Sequence, residues 1–141
     1  MHIFSCQPRQ LPVSGVFAVE ILERHPFTTQ TFVPLSVDEA SGKGEGEACF
    51  AVIVAPTRED GWPDLAALRA FAALPGQAVT YAMGTWHAPM VVLRGRVEFV
   101  VLVAENGTDE DCEEVIVDGG VGVKLVEEGN WGLWEKEKAR L

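Results

Sequence analysis

The stretch ACFAVIVA, residues 48–55, is apolar throughout. A strand with one face in water alternates polar and apolar residues, whereas a strand covered on both faces is continuously apolar. The sequence SGKGEGE, residues 41–47, precedes this stretch and is typical of an exposed loop. We therefore predict that residues 48–55 form a buried strand with other structure packed on both of its faces.

Further short strands are predicted on both sides of this one. Before it, side chains that favour β-structure are concentrated in residues 17–22 (FAVEIL) and 28–35 (TTQTFVPL). After it, similar runs occupy residues 78–82, 89–93, 97–104 and 113–117. The sequence RGR at residues 94–96 predicts the connection of a hairpin.

Two helices are expected among these strands. In residues 60–73, Asp60 can cap a helix, and one helical face would carry Leu65, Leu68, Phe71 and Ala72. A short C-terminal helix is expected from residue 127, because Trp131 and Trp134 are one helical turn apart. Many short strands with one inserted helix predict a single, mainly β domain over residues 1–141, folded as a β-barrel or jelly roll.

The overall charge excludes one class of partner. The chain has 141 residues and a formal net charge of −10, and no basic run exceeds two residues. Nucleic acid would be repelled, so we expect no such partner. A small anionic substrate remains compatible with this charge, provided that a local cation receives it.

Cysteine usage indicates a reducing compartment. The chain has three widely spaced cysteines, Cys6, Cys49 and Cys112. With no signal-peptide pattern and no apolar stretch long enough to span a bilayer, we expect a cytoplasmic protein with no membrane partner. The final residues Ala139-Arg140-Leu141 follow the small–basic–leucine pattern of a peroxisomal address, which is an alternative if the source is eukaryotic.

The first group of candidate site residues surrounds a histidine. The chain has only three histidines, namely His2, His25 and His87. In ERHPFTTQ, residues 23–30, Glu23 and His25 are two positions apart and share one face of an extended strand. A turn follows, and Gln30 can return on the adjacent strand. The spacing therefore predicts that Glu23, His25 and Gln30 converge.

A second group surrounds His87. In TYAMGTWHAPM, residues 80–90, Gly84 provides a turn just before His87. Taken alone, a histidine beside a tryptophan is more simply explained as a hydrogen-bonded core residue. Together with the first group, however, His87 can be assigned to one pocket at the mouth of a barrel.

Both groups resemble cupin motifs. The spacing E-x-H-x4-Q is similar to the first cupin motif, H-x-H-x4-E, and AMGTWH at residues 82–87 is similar to the second, P-x-G-x2-H, with Ala82 in place of proline. In cupins these positions often hold a divalent metal, so the corresponding ligands here would be Glu23, His25, Gln30 and His87. A neutral amide is a poor ligand. We therefore expect no firmly bound metal and at most a weakly bound divalent ion.

Longer segments resemble the ureidoglycolate lyase family, over residues 17–117. The segments are LERHPFTTQTFVPL (22–35), PDLAALRAF (63–71), QAVTYAMGTWHAPM (77–90) and VEFVVLVAENGTDEDCEEV (97–115). The resemblance implies a cupin-like β-barrel or jelly roll and frequently a homodimer. It also implies the cleavage of (S)-ureidoglycolate to glyoxylate and urea late in purine and allantoin catabolism.

The expected lyase reaction needs proton transfer, and the histidines and glutamates are the candidates for it. His87 is the first candidate for the proton-transferring group, because an imidazole titrates near neutral pH. Either Glu23 or Glu98 would orient it or act as the partner acid or base. His25 and Gln30 would bind the hydroxyl or the ureido group of the substrate.

The remaining candidates would bind substrate. Arg24 would pair with the substrate carboxylate, and Lys43 could close over it from the loop. Tyr81, the only tyrosine of the chain, would donate its hydroxyl. Trp86 would form an apolar wall of the pocket.

Two departures from the family reduce the options for proton transfer and metal binding, and two other functions stay open. Many relatives have histidines where this chain has Ala82 and Ala88. One alternative is an amidohydrolase that releases ammonia by means of metal-activated water. Another is a cupin that binds a small molecule without catalysis, since one fold hosts many functions.

Overall fold

The computed structural model describes residues 1–37, 48–104 and 111–125, and these ranges contain ten strands. In chain order they are β1 (His2–Cys6), β2 (Val16–Arg24), β3 (Gln30–Val37), β4 (Phe50–Ala55), β5 (Arg69–Ala73), β6 (Val79–Tyr81), β7 (Trp86–His87), β8 (Val91–Val92), β9 (Val97–Val103) and β10 (Glu113–Lys124). The first sheet has the order β1-β9-β3-β6. The second has the order β10-β2-β7-β4-β5, with β8 also paired to β4.

The strand predicted at residues 48–55 lies at the centre of the molecule. Phe50 and Val52 pack into a core between the two sheets, whereas Ala51 and Ile53 pack into a second core on the other face of their sheet. This is the arrangement that the continuous apolar run predicts. The predicted fold class, mainly β with a cupin-like architecture of two antiparallel sheets, is confirmed.

Aromatic side chains hold the two sheets together. Phe99 lies edge-to-face with Phe50, with ring centroids 5.2 Å apart, and with Phe32, at 5.8 Å. Phe32 makes a similar contact with Tyr81, at 6.0 Å. The Phe50–Phe99 contact joins the two sheets, and the contacts within the first sheet hold the ring of Tyr81 in place.

The helix predicted for residues 60–73 is wrong. The segment contains a short 3-10 helix, Leu65–Ala67, whose first turn is capped by the Asp64 carboxylate, followed by β5. β5 pairs antiparallel with β4 over five residue pairs, from Phe50↔Ala73 to Val54↔Arg69. β4 is buried, so its backbone groups on that side need hydrogen-bond partners. This requirement outweighs the helical propensity of the segment, because tertiary context commonly overrides propensity.

One further feature differs from the sequence interpretation and another extends it. Residues 94–96 do not close a hairpin, because β8 belongs to the second sheet and β9 to the first. The N-terminal segment forms β1, paired with β9. The predicted C-terminal helix from residue 127 lies outside the described residues. Within the described ranges, no helix is long and apolar enough to cross a membrane.

Candidate active site

The candidate site forms where the two sheets meet at one end. Glu23 and His87 are direct partners in the β2–β7 pairing, so both side chains lie on the same face of the second sheet. Gln30 and Tyr81 are direct partners in the β3–β6 pairing of the first sheet. His25 lies in the short connection between β2 and β3, which carries the chain from one sheet to the other. These five side chains are called the cluster below.

His87 is the centre of the cluster. Its side chain is 1% exposed, and its ring is stacked on Tyr81 with a centroid distance of 3.8 Å. The Nε2 atom lies 3.0 Å from Oε1 of Gln30 and 3.3 Å from Oε1 of Glu23. The Nδ1 atom lies 2.9 Å from the carbonyl oxygen of Thr85. A carbonyl can only accept, so Nδ1 carries a proton and donates it.

His25 is held in the same way but has a free nitrogen. Its Nδ1 atom donates to the carbonyl oxygen of Asp111, at 2.7 Å. In the neutral ring Nε2 therefore carries a lone pair. This atom is buried and has no hydrogen-bond partner among the described residues. A buried polar atom without a partner is unusual and indicates a place for a ligand or a reacting group.

The two acidic groups of the cluster have opposite pKa shifts. The hydrogen bond from His87 lowers the pKa of Glu23, against the effect of its burial. Glu23 is therefore ionised at neutral pH. Burial, reinforced by the negative charge of Glu23, raises the pKa of the Tyr81 hydroxyl well above its ordinary value. Tyr81 therefore stays protonated and can act only as a hydrogen-bond partner.

A cysteine lies near the cluster but is not a reactive nucleophile. Burial raises the pKa of the Cys112 thiol, and the negative charges of Glu23, Glu114 and Asp111 raise it further. Nucleophilic attack requires the thiolate, which this environment disfavours. Covalent catalysis by Cys112 is therefore not supported.

Three members of the cluster can also hold a metal ion. Ligand atoms of Glu23, His25 and His87 all lie within 4.8 Å of one another. Two imidazoles and a carboxylate form a set that binds divalent ions with open coordination positions. Both rings are oriented by backbone carbonyls, as ligating histidines are. The donor set therefore fits a divalent ion, which would polarise an oxygen of a bound substrate.

The structure does not bring Arg24 and Trp86 to the cluster. Successive residues of a strand point to opposite faces, so Arg24 faces away from Glu23. Its guanidinium lies over the Trp86 ring, 4.6 Å from the centroid, and pairs with Glu113 at 2.6 Å. Trp86 belongs to the core on the other face of the second sheet, and its ring nitrogen donates to the carbonyl of Gly61.

One other predicted residue also lies elsewhere. Glu98 lies on the outer face of the first sheet, where it accepts a hydrogen bond from Ser36 and pairs with Arg96. Lys43 is outside the described residues. Sequence reasoning missed Asp111, which contacts Phe27 and Thr28 of the His25 turn from more than 80 positions away in the chain. No local sequence pattern reports this contact, since it depends on the β2–β10 pairing.

Known proteins resemble this chain over most of its length. A family model described as Ureidoglycolate lyase matches residues 1–124. A ureidoglycolate lyase of Schizosaccharomyces pombe is 39% identical over 116 residues, which cover 79% of this chain and 58% of that protein. The one of Saccharomyces cerevisiae is 45% identical over 112 residues, covering 74% and 53%. The one of Burkholderia cepacia is 37% identical over 115 residues, covering 82% and 55%.

The chain thus spans somewhat more than half the length of these curated relatives, from 53% to 58%. The match to the family model nevertheless covers nearly all of the described residues, including every member of the cluster. The chain belongs to the ureidoglycolate lyase family.

Proposed function

We propose that this chain provides the active site of a ureidoglycolate lyase, which cleaves (S)-ureidoglycolate to glyoxylate and urea. One observation carries the proposal. Two imidazoles face a common space. Nε2 of His25 has no hydrogen-bond partner within the described ranges, whereas Nε2 of His87 lies between two oxygens. Elimination of urea from a hemiaminal needs a base for the hydroxyl and an acid for the departing nitrogen. The two rings match these two needs.

His25 is the base in this mechanism and His87 is the acid. The substrate hydroxyl gives its proton to the lone pair on Nε2 of His25, and its C–O bond becomes a carbonyl. The electron pair of the breaking C–N bond goes to the ureido nitrogen, which takes a proton from Nε2 of His87. The products are glyoxylate and urea. Proton exchange with water then restores both rings.

Gln30 is the proposed hydrogen-bond partner of His87 during proton transfer. Its amide can pair with Nε2 of His87 both when that atom carries a proton and when it does not. When Nε2 carries a proton, it donates to the amide oxygen of Gln30 and to the carboxylate of Glu23. When Nε2 has lost the proton, the amide can turn so that its NH2 group donates to the ring nitrogen. Nε2 of His87 therefore has a hydrogen-bond partner in both states, which favours reversible proton transfer.

Tyr81 is the proposed donor to the substrate. Within the described part of the chain its hydroxyl has no hydrogen-bond partner, and its raised pKa keeps it protonated. It can therefore donate to the carboxylate or to the ureido oxygen. Lys43 remains the candidate cation for the carboxylate, as the sequence predicts.

The test is a product analysis. Purified protein is incubated with racemic ureidoglycolate, and glyoxylate, urea and ammonia are measured against a blank without enzyme, since hemiaminals also decompose spontaneously. Equal amounts of glyoxylate and urea above the blank, formed from one enantiomer, are expected. Turnover that yields ammonia in place of urea would overturn the proposal in favour of amidohydrolysis.

Amidohydrolysis is the second candidate because of the metal-compatible set of Glu23, His25 and His87. A metal ion bound there would compete for the Nε2 lone pairs that the lyase mechanism uses for protons. The two candidates therefore differ in their response to chelation. A lyase that relies on imidazoles keeps its activity after dialysis against EDTA, whereas a metal-dependent amidohydrolase loses it.

A homodimer in the cytoplasm is also proposed. The outer face of the first sheet carries Ile3, Val33, Val100 and Leu102, which neighbour one another across β1, β9 and β3. The charge of −10 makes two copies repel each other, so they can approach most closely through an apolar patch such as this one. Sedimentation of the wild type and of Val100→Lys tests this. A monomer at both high and low protein concentration in the wild type would refute it.

A further inference from the structure

Asp111 makes three contacts with the turn that carries His25. Its carbonyl oxygen accepts the Nδ1 proton of His25 at 2.7 Å. Its carboxylate accepts the backbone N–H of Phe27 at 3.0 Å and the hydroxyl proton of Thr28. The two carboxylate bonds are called the Asp111 clamp below. They continue the β2–β10 contact beyond the end of its ladder, where Arg24 and Glu113 are partners.

We propose that Asp111 is a positioning residue for His25: the Asp111 clamp fixes the carbonyl that keeps the His25 proton on Nδ1 and the lone pair on Nε2. This inference rests on the proposed function, in which that lone pair is the base. Asp111 touches no reacting atom, because both of its carboxylate oxygens are engaged by the turn.

The partner of the clamp is itself buried. Thr28 and His87 are the two buried polar side chains among the described residues, with 7% and 1% of their surface exposed. A buried hydroxyl without a partner is costly, so Thr28 needs the Asp111 carboxylate. A Thr28–Asp111 bond is therefore a stable anchor. It defines the position of the Asp111 main chain relative to the His25 ring.

Loss of the clamp has a chemical consequence beyond loosening the turn. If the Asp111 carbonyl moves away, nothing holds the proton of His25 on Nδ1, and the ring can adopt the tautomer with the proton on Nε2. That tautomer cannot accept the substrate proton. Partners that orient a metal-ligating histidine typically contribute 10–100-fold to affinity or activity. By analogy we expect kcat to fall by about 10–100-fold, with a smaller change in KM.

Two pairs of variants separate positioning from bulk stability. Asp111→Ala and Thr28→Val break the clamp. Asp111→Asn and Thr28→Ser instead introduce an amide or a serine hydroxyl that can still make both hydrogen bonds of the clamp. Asp64→Ala is the matched control, because the Asp64 carboxylate likewise accepts two hydrogen bonds, here from the backbone N–H groups of Ala66 and Ala67, but lies outside the cluster. The breaking variants should lose kcat, the conservative ones should recover most of it, and Asp64→Ala should lose stability alone.

A nuclear magnetic resonance measurement provides the decisive readout without using activity. Nitrogen-15 spectra of the ring in alkaline buffer report which nitrogen of His25 carries the proton, and with only three histidines in the chain the assignment is direct. Nδ1–H is expected in the wild type and a shift towards Nε2–H in Asp111→Ala. If Asp111→Ala does not fold, the Thr28→Val and Thr28→Ser pair answers the same question.

The outcomes distinguish this inference from the proposed function. An active wild type, together with wild-type kcat and an unchanged His25 tautomer in the breaking variants, would overturn the role of Asp111 and leave the lyase mechanism in place. An equal loss of kcat in Asp64→Ala would also overturn it, because the effect would then be one of stability. A wild type that releases no urea refutes the proposed function, and the nitrogen-15 spectra then decide the role of Asp111.

Discussion

The rings of Tyr81 and His87 are stacked, with centroids 3.8 Å apart and planes inclined by 11°. One residue comes from the first sheet and the other from the second, so this contact joins the sheets at the site. The stack fixes the plane of the imidazole, while the carbonyl of Thr85 fixes its rotation within that plane. His87 is therefore held in one orientation before any substrate binds, which reduces the entropic cost of reaching the reactive geometry.

The first prediction concerns the Tyr81 hydroxyl. Tyr81→Phe keeps the stacked ring but removes the hydroxyl that we propose donates to the substrate. We expect catalytic efficiency, kcat/KM, to fall about 10-fold, as for the loss of one hydrogen bond to a charged group, with an unchanged melting temperature. Initial rates of urea release measure this. Unchanged kinetics in a folded variant would exclude the hydroxyl from substrate binding.

The second prediction concerns the two imidazoles. His87→Asn keeps a donor for the Thr85 carbonyl but removes Nε2, and His25→Asn removes the free lone pair. Each change should lower kcat by about 10²–10⁴-fold, the usual contribution of a general acid or base. The double variant should lose much less than the product of the two effects, because the rings act as a unit.

His2→Ala is the matched control for that experiment, since His2 is exposed on β1 and lies outside the cluster. Its activity should equal that of the wild type. Near-normal urea release by folded His87→Asn would remove His87 from catalysis.

The third prediction is a pH dependence of stability. The pKa of Glu23 is lowered from 4.5 in the folded protein, chiefly by its hydrogen bond with His87. A lowered folded-state pKa contributes stability that is present above the ordinary value and is lost as the pH falls through the folded value. The free energy of unfolding of the wild type should therefore decline more steeply below about pH 4.5 than that of Glu23→Gln. Guanidinium titrations at several pH values measure both curves, and parallel curves would contradict the assignment.

The fourth prediction concerns metal content. The donor atoms of Glu23 and Gln30 already contact Nε2 of His87, and Gln30 offers only a neutral oxygen. We therefore expect protein purified without chelators to carry well below one equivalent of divalent metal, and EDTA to leave urea release nearly unchanged. Elemental analysis that finds a full equivalent, together with loss of activity on chelation, would support the metal-dependent alternative.

The sequence predicts local features well where the signal is periodic or repeated at short range. The apolar run at residues 48–55 predicts β4 and its two covered faces, and the spacing of Glu23, His25 and Gln30 predicts a convergence that the structure has. Both signals depend on the alternation of side chains along a strand, a property of the backbone. The helix at residues 60–73 is wrong because local propensity cannot detect that β4 needs a pairing partner.

Long-range pairing also explains what sequence reasoning missed at the site. Asp111 contacts residues more than 80 positions earlier in the chain, and no local pattern reports such a contact. Arg24 shows that residues close together in the sequence need not share a site. Its position next to Glu23 suggested a shared site, but adjacent residues of a strand point to opposite faces.

The last prediction concerns Arg24 itself. Its guanidinium lies over Trp86 and pairs with Glu113, and its side chain is 16% exposed. Arg58, which pairs with Asp60, is 58% exposed and is the matched control. A mostly buried cation stacked on tryptophan contributes about 1–2 kcal/mol, whereas an exposed ion pair contributes less than about 1 kcal/mol. Arg24→Ala should therefore lower the melting temperature by several degrees more than Arg58→Ala, with KM for ureidoglycolate unchanged in both. A large rise in KM in Arg24→Ala, without loss of stability, would instead establish that Arg24 binds the substrate carboxylate, as the sequence suggests. In that case the side chain would have to leave Trp86 and reach the cluster when substrate binds.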